Sequence, residues 1–370
     1  MADESSSDAS DTSHHAVECK WSRSAVQAGY VEDAYIRYFT EGKKHGPIHN
    51  MLHFLRITAI RRAVTTFIEQ FPEEDVQLVN LGCGFDTLAF WVLQQYPNAT
   101  CFEADKPEQL QAKATMIRNA SPVMQLLKDY EDDGEEFIVA KRYKMVPADL
   151  NNIAEIETLV PKYGFSRDCS QPTLFLSEFS LVYLGVENSN EIIKFANKLC
   201  NRPSCFVYWE PTRIEDKFGQ LMLERYREFG SELHGSIAYP TIESQIKRYT
   251  ELGWQKVAIM DMNTLYNALI TDEEKKRVKV GVNIGVTASS ALQKLECLDE
   301  VEEIVIVCQH YVIGICGNQP EKLSKLFGTF TQTEANKTIR TYTTEEVREM
   351  IRSGTLSEMQ PAPLNTGWLS

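Results

Sequence analysis

The chain has 370 residues, of which 43% are hydrophobic and 24% are charged, enough apolar material for one large domain or two ordinary ones. A formal net charge of −14 disfavours binding to nucleic acid or to an anionic membrane, because both are bound through clustered Lys and Arg. No run approaches the roughly 20 apolar residues that cross a bilayer, and the start lacks a signal-peptide pattern, so we expect a cytoplasmic or nuclear protein.

The nine cysteines form no C-x-x-C pair. Those that fall in or beside apolar runs are expected to be reduced and buried, as small hydrophobic residues: Cys83, Cys101, Cys205, Cys308 and Cys316. Because zinc sites usually show paired short spacings, the sequence predicts no metal site.

The two ends of the chain differ from its middle. Residues 1–17 are acidic and rich in Ser, and residues 318–370 are largely polar, so both are predicted to be tails. Within the second tail, "TTEEVREMIRSG" has a capping-box start at Thr343 and Glu346 and predicts a short helix. The remaining residues, 18–317, are predicted to form one domain.

The middle of the chain alternates apolar runs with helical patterns. Five such units begin with "VQLVNLGCG" and "DTLAFWVLQQYP" and end with "SCFVYWEP" and "DKFGQLMLERYREF". They predict an α/β fold with a doubly wound, mostly parallel sheet. A sixth strand follows the helix that ends at Gly253, and "IVIVCQHYVIGIC" over 304–316 predicts a seventh, with helical inserts in 262–300. Two amphipathic helical stretches within 18–73, "SAVQAGYVEDAYIRYF" and "NMLHFLRITAIRRAVTTFIEQF", are predicted to form a lid.

The first strand ends in the glycine turn "VNLGCGFDT". A dinucleotide-binding turn would read G-x-G-x-x-G, but Gly82 and Gly84 are followed by Phe85 and Asp86 without a third glycine. A carboxylate beside a helix N-terminus also disfavours a pyrophosphate. A cationic ligand without phosphate, such as S-adenosylmethionine, fits this turn better.

Acidic residues also follow the next three strands. Asp105 is placed to accept hydrogen bonds from ribose hydroxyls, Asp149 from an adenine amino group, and Glu178 lies beside the central crevice. Asp86 and Asp149 could instead be helix N-caps, and Glu103 is expected to be solvated. Taken together, the four strand-end acids predict an S-adenosylmethionine site at the carboxyl edge of the sheet.

Several segments share a pattern that is specific to one family: "VNLGCGFDT", "CFEAD", "VPADL", "LSEFSLVYL", "YWEPTRIEDKFGQLM" and "SAVQAGYVEDAYI". Over about residues 18–316 the chain resembles the leucine carboxyl methyltransferases, which methylate the C-terminal leucine of the catalytic subunit of protein phosphatase 2A. The resemblance implies a seven-stranded methyltransferase sheet, S-adenosylmethionine as cofactor, this phosphatase subunit as partner and a role in holoenzyme assembly. We expect a monomer that binds neither nucleic acid nor membrane.

The family pattern and the glycine turn together give the predicted site. The cofactor-binding residues are Arg23, Arg56, Gly82, Gly84, Asp86, Asp105, Asp149, Leu150 and Glu178, and the catalytic residues are Tyr183 and Arg56. One departure concerns the Cys-Lys-Arg run of the family, whose basic residue touches the cofactor carboxylate. In "ECKWSRSAV", Ser22 aligns with the lysine and Arg23 with the arginine, and Lys20 replaces them only after a shift of register.

Arg56 can also be judged from its own helix. It shares a face with Ile60, Val64 and Phe67, so its guanidinium lies on an apolar stripe. Snorkelling of the side chain toward solvent is one interpretation. A bidentate clamp on a carboxylate in a closed pocket is the other, and the resemblance favours it.

Methyl transfer to a carboxylate needs little acid or base catalysis, which agrees with the lack of a convincing His or Cys base. The alternatives are a related O-methyltransferase that acts on a modified guanosine side chain in transfer RNA or on a small-molecule carboxylate, and an inactive family member that binds the phosphatase. The acidic composition disfavours RNA. The strand-end acids disfavour an inactive protein.

Overall fold

The computed structural model describes residues 14–127, 129–130, 135–165, 171–199, 201–278 and 301–330. The strands in these ranges are β1 Val76–Leu81, β2 Ala99–Asp105, β3 Tyr143–Pro147, β4 Thr173–Glu178, β5 Ser204–Pro211, β6 Lys256–Asp261 and β7 Tyr311–Gly317. The helices are α1 His14–Gln27, α2 Pro47–Ile68, α3 Leu88–Gln95, α4 Pro107–Asn119, α5 Ser121–Met124, α6 Ile153–Lys162, α7 Val186–Leu199, α8 Lys217–Glu228, α9 His234–Ala238, α10 Ile242–Glu251, α11 Met262–Leu269, α12 Asp272–Val278, α13 Val301–Gln309 and α14 Ser324–Phe330. The predicted helix around Thr343 and residues 279–300 of the predicted insert lie outside the described residues.

The strands form one sheet in the order β3-β2-β1-β4-β5-β7-β6. β1 pairs in parallel with β2 and β4, and only β7 runs antiparallel to its neighbours β5 and β6. Because the strand order reverses between β1 and β4, a crevice opens at their carboxyl ends. The predicted doubly wound, mostly parallel seven-stranded sheet is confirmed.

Helices cover both faces of the sheet, and each face has its own apolar core. The larger core packs the sheet against α1 to α4, α11, α13 and α14. The smaller core packs the other face against α6, α7 and α10. Leu174 and Leu176 of β4 enter the first core and Phe175 enters the second, as expected for a strand buried on both faces.

The prediction that 304–316 forms one strand is wrong in its first half. Residues Val301–Gln309 form helix α13, and the strand begins only at Tyr311. Ile304 and Cys308, one helical turn apart, are fully buried in the core that includes α2. A short apolar run fits a buried helix or a buried strand equally well, so periodicity alone does not separate them.

The predicted tail boundaries also need correction. Helix α1 begins at His14, inside the predicted tail 1–17. At the other end, Leu323, Leu326, Phe327 and Phe330 are buried in the main core, so the folded part extends beyond 317. The four apolar positions have the spacing of one helix face. The segment was predicted to be a tail because its overall composition, which includes the polar residues between them, is polar.

The predicted N-terminal lid is only partly a separate cover. Helix α2 belongs to the main core, where Phe54, Leu55 and Phe67 are buried. The stretch predicted to be helical up to Phe39 leaves the helix after Gln27 and contains only a short 3-10 turn, Ile36–Tyr38. The cover of the site therefore consists of α1 and the irregular segment after it.

Candidate active site

A cavity lies at the carboxyl ends of β1 and β4 and contains about 430 Å³ of space without protein atoms. Its walls come from α1, the segment after α1, α2, the glycine turn and the end of β4. The lining residues are Cys19, Ser22, Ile36, Arg56, Asn80, Gly82, Cys83, Gly84, Phe85, Asp86 and Glu178. The cavity therefore lies in the crevice where open α/β sheets bind their ligands.

The glycine turn forms the floor of the cavity. Gly82 has φ +76°, and a Cβ atom added there would lie 2.4 Å from Cβ of Ser180, so a larger residue does not fit. Gly84 also has a positive φ, and its N–H donates to Oδ2 of Asp105 at 2.7 Å. Asp105 additionally accepts from the N–H of Lys106 at 2.8 Å. Asp105 thus supports the turn from behind and is not itself part of the cavity lining.

Asp86 has a local role and also faces the cavity. Its Oδ1 accepts from the N–H groups of Thr87 at 2.7 Å and Leu88 at 3.2 Å, at the start of α3. Its Oδ2 accepts from Nδ2 of Asn80 at 3.2 Å. The N-cap of α3 is Thr87, so Asp86 is not the N-cap considered from the sequence, although its carboxylate binds the N–H groups at the start of the helix.

Arg56 and Glu178 meet on the opposite wall. Arg56 Nε donates to Oε1 of Glu178, and the two side chains are 8% and 9% exposed. The guanidinium carbon lies 4.9 Å from the centre of a Trp209 ring, within range of a cation–π interaction. The guanidinium does not reach into bulk solvent, so the snorkelling interpretation of Arg56 is wrong.

His53 lies behind Arg56, one helical turn earlier in α2. Its Nδ1 is 3.1 Å from Oγ of Ser22 and 3.4 Å from Nη1 of Arg56. Burial lowers the pKa of His53 well below its ordinary value, and the positive charge of Arg56 lowers it further. Burial, with the nearby Asp86 charge, raises the pKa of the Cys19 thiol to about 12. Both groups are therefore uncharged at neutral pH.

The structure separates the predicted site residues into two groups. Arg56, Gly82, Gly84, Asp86 and Glu178 line the cavity together. The residues outside its lining are Arg23, Asp105, Asp149, Leu150 and Tyr183. Their predicted roles remain predictions.

Of this second group, Leu150 is the nearest to the turn, because its Cδ1 would be 3.6 Å from a Cβ at Gly82. Asp149 accepts from the N–H of Asn151 at 2.9 Å, which is a local turn contact. At the position of the family lysine, Ser22 lines the cavity, whereas Arg23 does not.

Tyr183 belongs to an aromatic cluster beside Glu178, which we define as Phe179, Tyr183, Trp209, Tyr226 and Tyr311. Phe179 is at its centre, with ring centroids 5.4 to 6.2 Å from the other four. Phe179 has φ +54°, a backbone conformation that is uncommon for a residue other than glycine. The cluster includes the Trp209 ring that stacks under Arg56, and all its members except the partly buried Tyr183 are buried in the main core.

Several residues near the site were not selected from the sequence. Asn80 lines the cavity, and its Oδ1 is buried without a hydrogen-bond partner among the described residues. Asp33 accepts from Oγ1 of Thr87 at 2.7 Å and from Nη2 of Arg61 at 3.2 Å, which ties the cover to the start of α3. The only sequence signal for Asp33 was its place in "SAVQAGYVEDAYI", and Asn80 had none beyond its strand.

Glu103 does not have the environment expected from the sequence. It was predicted to be solvated, but it is fully buried and paired with Lys113, because α4 packs over that face of β2. The five cysteines predicted to be buried thiols are buried and free. Within the described ranges, no helix is long and apolar enough to span a membrane, and no three His, Cys, Asp or Glu residues are arranged around a metal position.

The cavity fits S-adenosylmethionine. Asp86 and Glu178 give it carboxylates that match a sulfonium and an ammonium group, Arg56 matches a carboxylate, and Asn80 Oδ1 is an unused acceptor. Together with a sheet in which an antiparallel β7 lies between β5 and β6, these features define an S-adenosylmethionine-dependent methyltransferase. The chain belongs to the leucine carboxyl methyltransferase family, whose model matches residues 12–197.

The relatives within this family are of two kinds. Over 309 residues the chain is 30% identical to tRNA wybutosine-synthesizing protein 4 of Schizosaccharomyces pombe. The aligned region covers 81% of this chain and 42% of that protein. Over 313 residues it is 27% identical to the leucine carboxyl methyltransferase 1 homolog of Arabidopsis thaliana, covering 83% and 88%. The chain thus spans about two fifths of the first relative and most of the second.

The comparison with solved structures gives matches at low sequence identity. The magnesium protoporphyrin IX methyltransferase of Synechocystis, solved with bound SAH, superposes with a TM-score of 0.39 at 11% identity, covering 76% of this chain and 90% of that one.

Proposed function

We propose that this protein transfers the methyl group of S-adenosylmethionine to the α-carboxylate of the C-terminal leucine of the protein phosphatase 2A catalytic subunit. The observation that carries the proposal is a buried cation, Arg56, in a cavity whose described lining has no ionised Cys and no His, and whose two carboxylates, Asp86 and Glu178, are already engaged by hydrogen bonds. A carboxylate acceptor is already ionised at neutral pH and needs no deprotonation. An alcohol or amine acceptor would need a proton to be removed.

Neither Cys19 in the cavity wall nor His53 behind it is a strong base, and transfer to a carboxylate does not require one. His53 has a strongly lowered pKa and its Nδ1 is engaged by Ser22 and Arg56, so it is a weak base. Cys19 is a protonated thiol, because burial raises its pKa to about 12. The cofactor, when bound, supplies an electrophilic methyl group on a sulfonium. The side chains around it bind, orient and exclude water, and orientation alone is worth about 7 to 11 kcal/mol in favourable cases.

Arg56 would orient the acceptor carboxylate. Its guanidinium is held by Glu178 on one side and by the Trp209 ring on the other, so its position is fixed before the acceptor binds. The negative charge of the carboxylate and the positive charge of the sulfonium cancel as the methyl group is transferred. Because charge is lost in the reaction, a dry pocket does not oppose it.

Tyr183 is the member of the aromatic cluster that could meet an apolar acceptor side chain. Phe179, Trp209, Tyr226 and Tyr311 are buried in the main core, whereas Tyr183 is only partly buried. A leucine whose carboxylate contacts Arg56 would place its branched side chain toward the ring of Tyr183. An apolar ring at this place supports a C-terminal leucine over a polar residue.

Helix α8 supports a protein acceptor. Tyr226, on its buried face, contacts Tyr183 with ring centroids 6.5 Å apart, so the helix lies beside the aromatic cluster. On its outer side Leu221 is 50% exposed, and Phe229, just after the helix, is 70% exposed. A protein that docks at this helix would cover both apolar groups. A docked protein buries on the order of 800 Å² on each partner, far more than one leucine offers.

Transfer RNA is the second candidate acceptor. It is favoured by the 30% identity to a protein named as tRNA wybutosine-synthesizing. The formal net charge of −14 disfavours it, because RNA binding relies on positive surfaces.

The test measures transfer of a labelled methyl group to four acceptors. These are the intact phosphatase catalytic subunit, the same subunit ending in a C-terminal amide, its isolated C-terminal peptide, and transfer RNA from cells that lack wybutosine methylation. We expect label on the intact subunit, little on the peptide and none on the amide or the RNA. Mass spectrometry of the C-terminal peptide locates the methyl group.

The other outcomes decide between the alternatives. Equal labelling of amide and free acid would remove the carboxylate mechanism. Equal efficiency on the peptide would remove the docking argument and leave the chemistry in place. Label found only on transfer RNA would replace the phosphatase with the second candidate.

A further inference from the structure

A buried ion pair lies behind the glycine turn, outside the cavity. Lys113 of α4 and Glu103 of β2 are both fully buried, and Nζ of Lys113 is 2.7 Å from Oε2 of Glu103. The hydroxyl of Tyr143 on β3 donates to the same carboxylate oxygen at 2.6 Å. We call Glu103, Lys113 and Tyr143 the buried triad. Removing two charges from water costs several kcal/mol for each ion, so a hydrophobic pair would be the simpler way to fill this space.

The triad has one contact that links it to the site. Nζ of Lys113 also donates to the main-chain carbonyl of Asp86, at 2.7 Å. Asp86 is the last lining residue of the glycine turn, and its side chain already holds the N–H groups of Thr87 and Leu88. Lys113 therefore fixes the carbonyl side of a residue whose carboxylate faces the cavity.

Among the described residues, two side chains tie Asp86, in the second half of the turn, to neighbouring elements: Asn80 of β1 holds the Asp86 carboxylate, and Lys113 holds the Asp86 carbonyl. At the start of the turn, Gly82 and Cys83 donate to the carbonyl of Ala104, and Gly84 donates to Asp105. Those bonds hold the first half of the turn to the end of β2. In the second half, the N–H of Asp86 donates back to Cys83 within the turn. Lys113 is the contact that joins Asp86 through its carbonyl to α4 and the sheet.

We propose that Lys113 is a positioning residue for the cofactor: paired with Glu103, it fixes the Asp86 carbonyl and so the shape of the turn that binds S-adenosylmethionine. Lys113 is not part of the cavity lining and acts through Asp86. Glu103 neutralises the buried ammonium, and the hydrogen bond from Tyr143 to Glu103 is not needed for the contact between Lys113 and Asp86. The inference rests on the cofactor class and is independent of which acceptor is methylated.

The effect on the turn must be separated from the effect on stability. Lys113→Met alone leaves the Glu103 charge buried without its partner, which is strongly destabilising. Lys113→Met combined with Glu103→Gln removes both charges, while the Gln oxygen still accepts from Tyr143. Tyr143→Phe is the matched control, because it removes a triad hydrogen bond and keeps the Lys113 contact to Asp86.

The experiment measures the melting temperature of each full-length variant and its Kd for S-adenosylhomocysteine by isothermal titration calorimetry at a temperature where all are folded. We expect the double variant to regain most of the melting temperature lost in Lys113→Met and still to bind at least tenfold more weakly than the wild type. Tyr143→Phe should bind within about twofold of the wild type. Binding by the wild-type chain checks the cofactor assignment independently.

Two results would overturn the proposal. A double variant with wild-type melting temperature and wild-type Kd would show that the turn does not need Lys113. A double variant that fails to fold, although both charges are gone, would show that the triad serves the fold and not the position of Asp86.

Discussion

The two walls of the cavity are built in different ways. The wall formed by the glycine turn uses lining residues that are neighbours in sequence, and the side chains of Asn80 and Asp86 bond within this segment. Bonds to β2 and α4 support the turn from behind. The opposite wall joins Arg56 of α2 to Glu178 of β4, with Trp209 of β5 behind them. Its contacts connect segments that are more than a hundred residues apart.

This difference explains what each wall contributes to function. The wall made from the glycine turn has its lining residues in one short segment, with β2 and α4 supporting it from behind, so it suits a cofactor that many enzymes share. A wall assembled from three distant elements depends on the whole fold. A substitution in one of these elements can alter the wall without altering the other two. We infer that cofactor binding uses both walls and that acceptor choice depends mainly on the second.

The largest effect is expected from removing the cover that closes both walls. Truncation to about residue 45 removes Cys19, Ser22 and Ile36 from the cavity lining, together with Asp33, which bonds to Thr87. We expect methyl transfer to be abolished. Deletion of residues 1–13, which precede α1, should leave methyl transfer at the wild-type rate.

Both truncations are compared in the labelled-methyl assay, and circular dichroism shows whether the sheet remains. Asp33→Ala is a milder variant: it keeps the segment that covers the cavity and removes the hydrogen bond between Asp33 and Thr87. This variant should transfer the methyl group more slowly than the wild type. Full activity of the longer truncation would show that α1 and the segment after it are not part of the site.

The next largest effect is expected at the distant wall. Arg56→Met removes the cation proposed to bind the acceptor carboxylate and should lower kcat/KM by roughly a hundredfold or more, on the scale of losing an oriented charge donor. Breaking a buried ion pair also costs about 3 to 5 kcal/mol of folding stability. The measurement is kcat/KM together with the free energy of unfolding.

A compensated variant separates these two effects of Arg56. Glu178→Gln added to Arg56→Met removes the unpaired buried charge and should recover part of the stability without recovering activity. Recovery of activity along with stability would mean that Arg56 serves only the fold.

A smaller effect is expected behind the turn. Asp105→Ala removes the acceptor for the N–H of Gly84 and any bond to the ribose, and should weaken cofactor binding by about 1 to 3 kcal/mol. Calorimetric titration with S-adenosylhomocysteine measures the change. An unchanged affinity with a lower melting temperature would make Asp105 purely structural.

The smallest effect is expected from pH. Burial lowers the pKa of His53 well below 6.5 in the folded chain, whereas the unfolded chain binds a proton near pH 6.5. The unfolded state therefore takes up more protons below pH 6.5, and the free energy of unfolding should fall as the pH decreases from there toward the folded pKa. Thermal unfolding followed between pH 5 and pH 8, an interval of about three pH units around the ordinary His value, measures this fall.

His53→Gln is the matched variant for the pH effect. It should unfold with a weaker dependence on pH below 6.5, although His45 and His49, whose pKa values are also lowered by burial, keep part of it. An unchanged dependence in His53→Gln would assign the effect to other groups.

The sequence predicted the near wall well because its pattern is local. Gly82, Gly84 and Asp86 follow one strand directly, and the alternation of strands and helices determined at which edge of the sheet they lie. Arg56 and Glu178 were both predicted as site residues, but their ion pair was not predicted. The sequence around each residue does not show which helix packs against the end of β4. The triad was missed for the same reason, and Glu103 was expected to be solvated because Lys113, its partner, comes from another element.

The errors in the fold have a related cause. The first half of the predicted seventh strand is helix α13, because its apolar run carries no period that separates the two structures. Helix α14 was assigned to a tail because its three buried residues, and Leu323 just before it, lie among polar ones. In both places the deciding contact is with α2 or the sheet, which the local sequence does not contain.

Hydrogen exchange followed by mass spectrometry, with and without S-adenosylhomocysteine, tests most directly whether the cavity between β1 and β4 is the cofactor site. We expect slower exchange on binding at residues 80–88 and 19–36, with no change in α10, which packs on the other face of the sheet. Protection confined to segments away from the glycine turn, with residues 80–88 unchanged, would contradict the account.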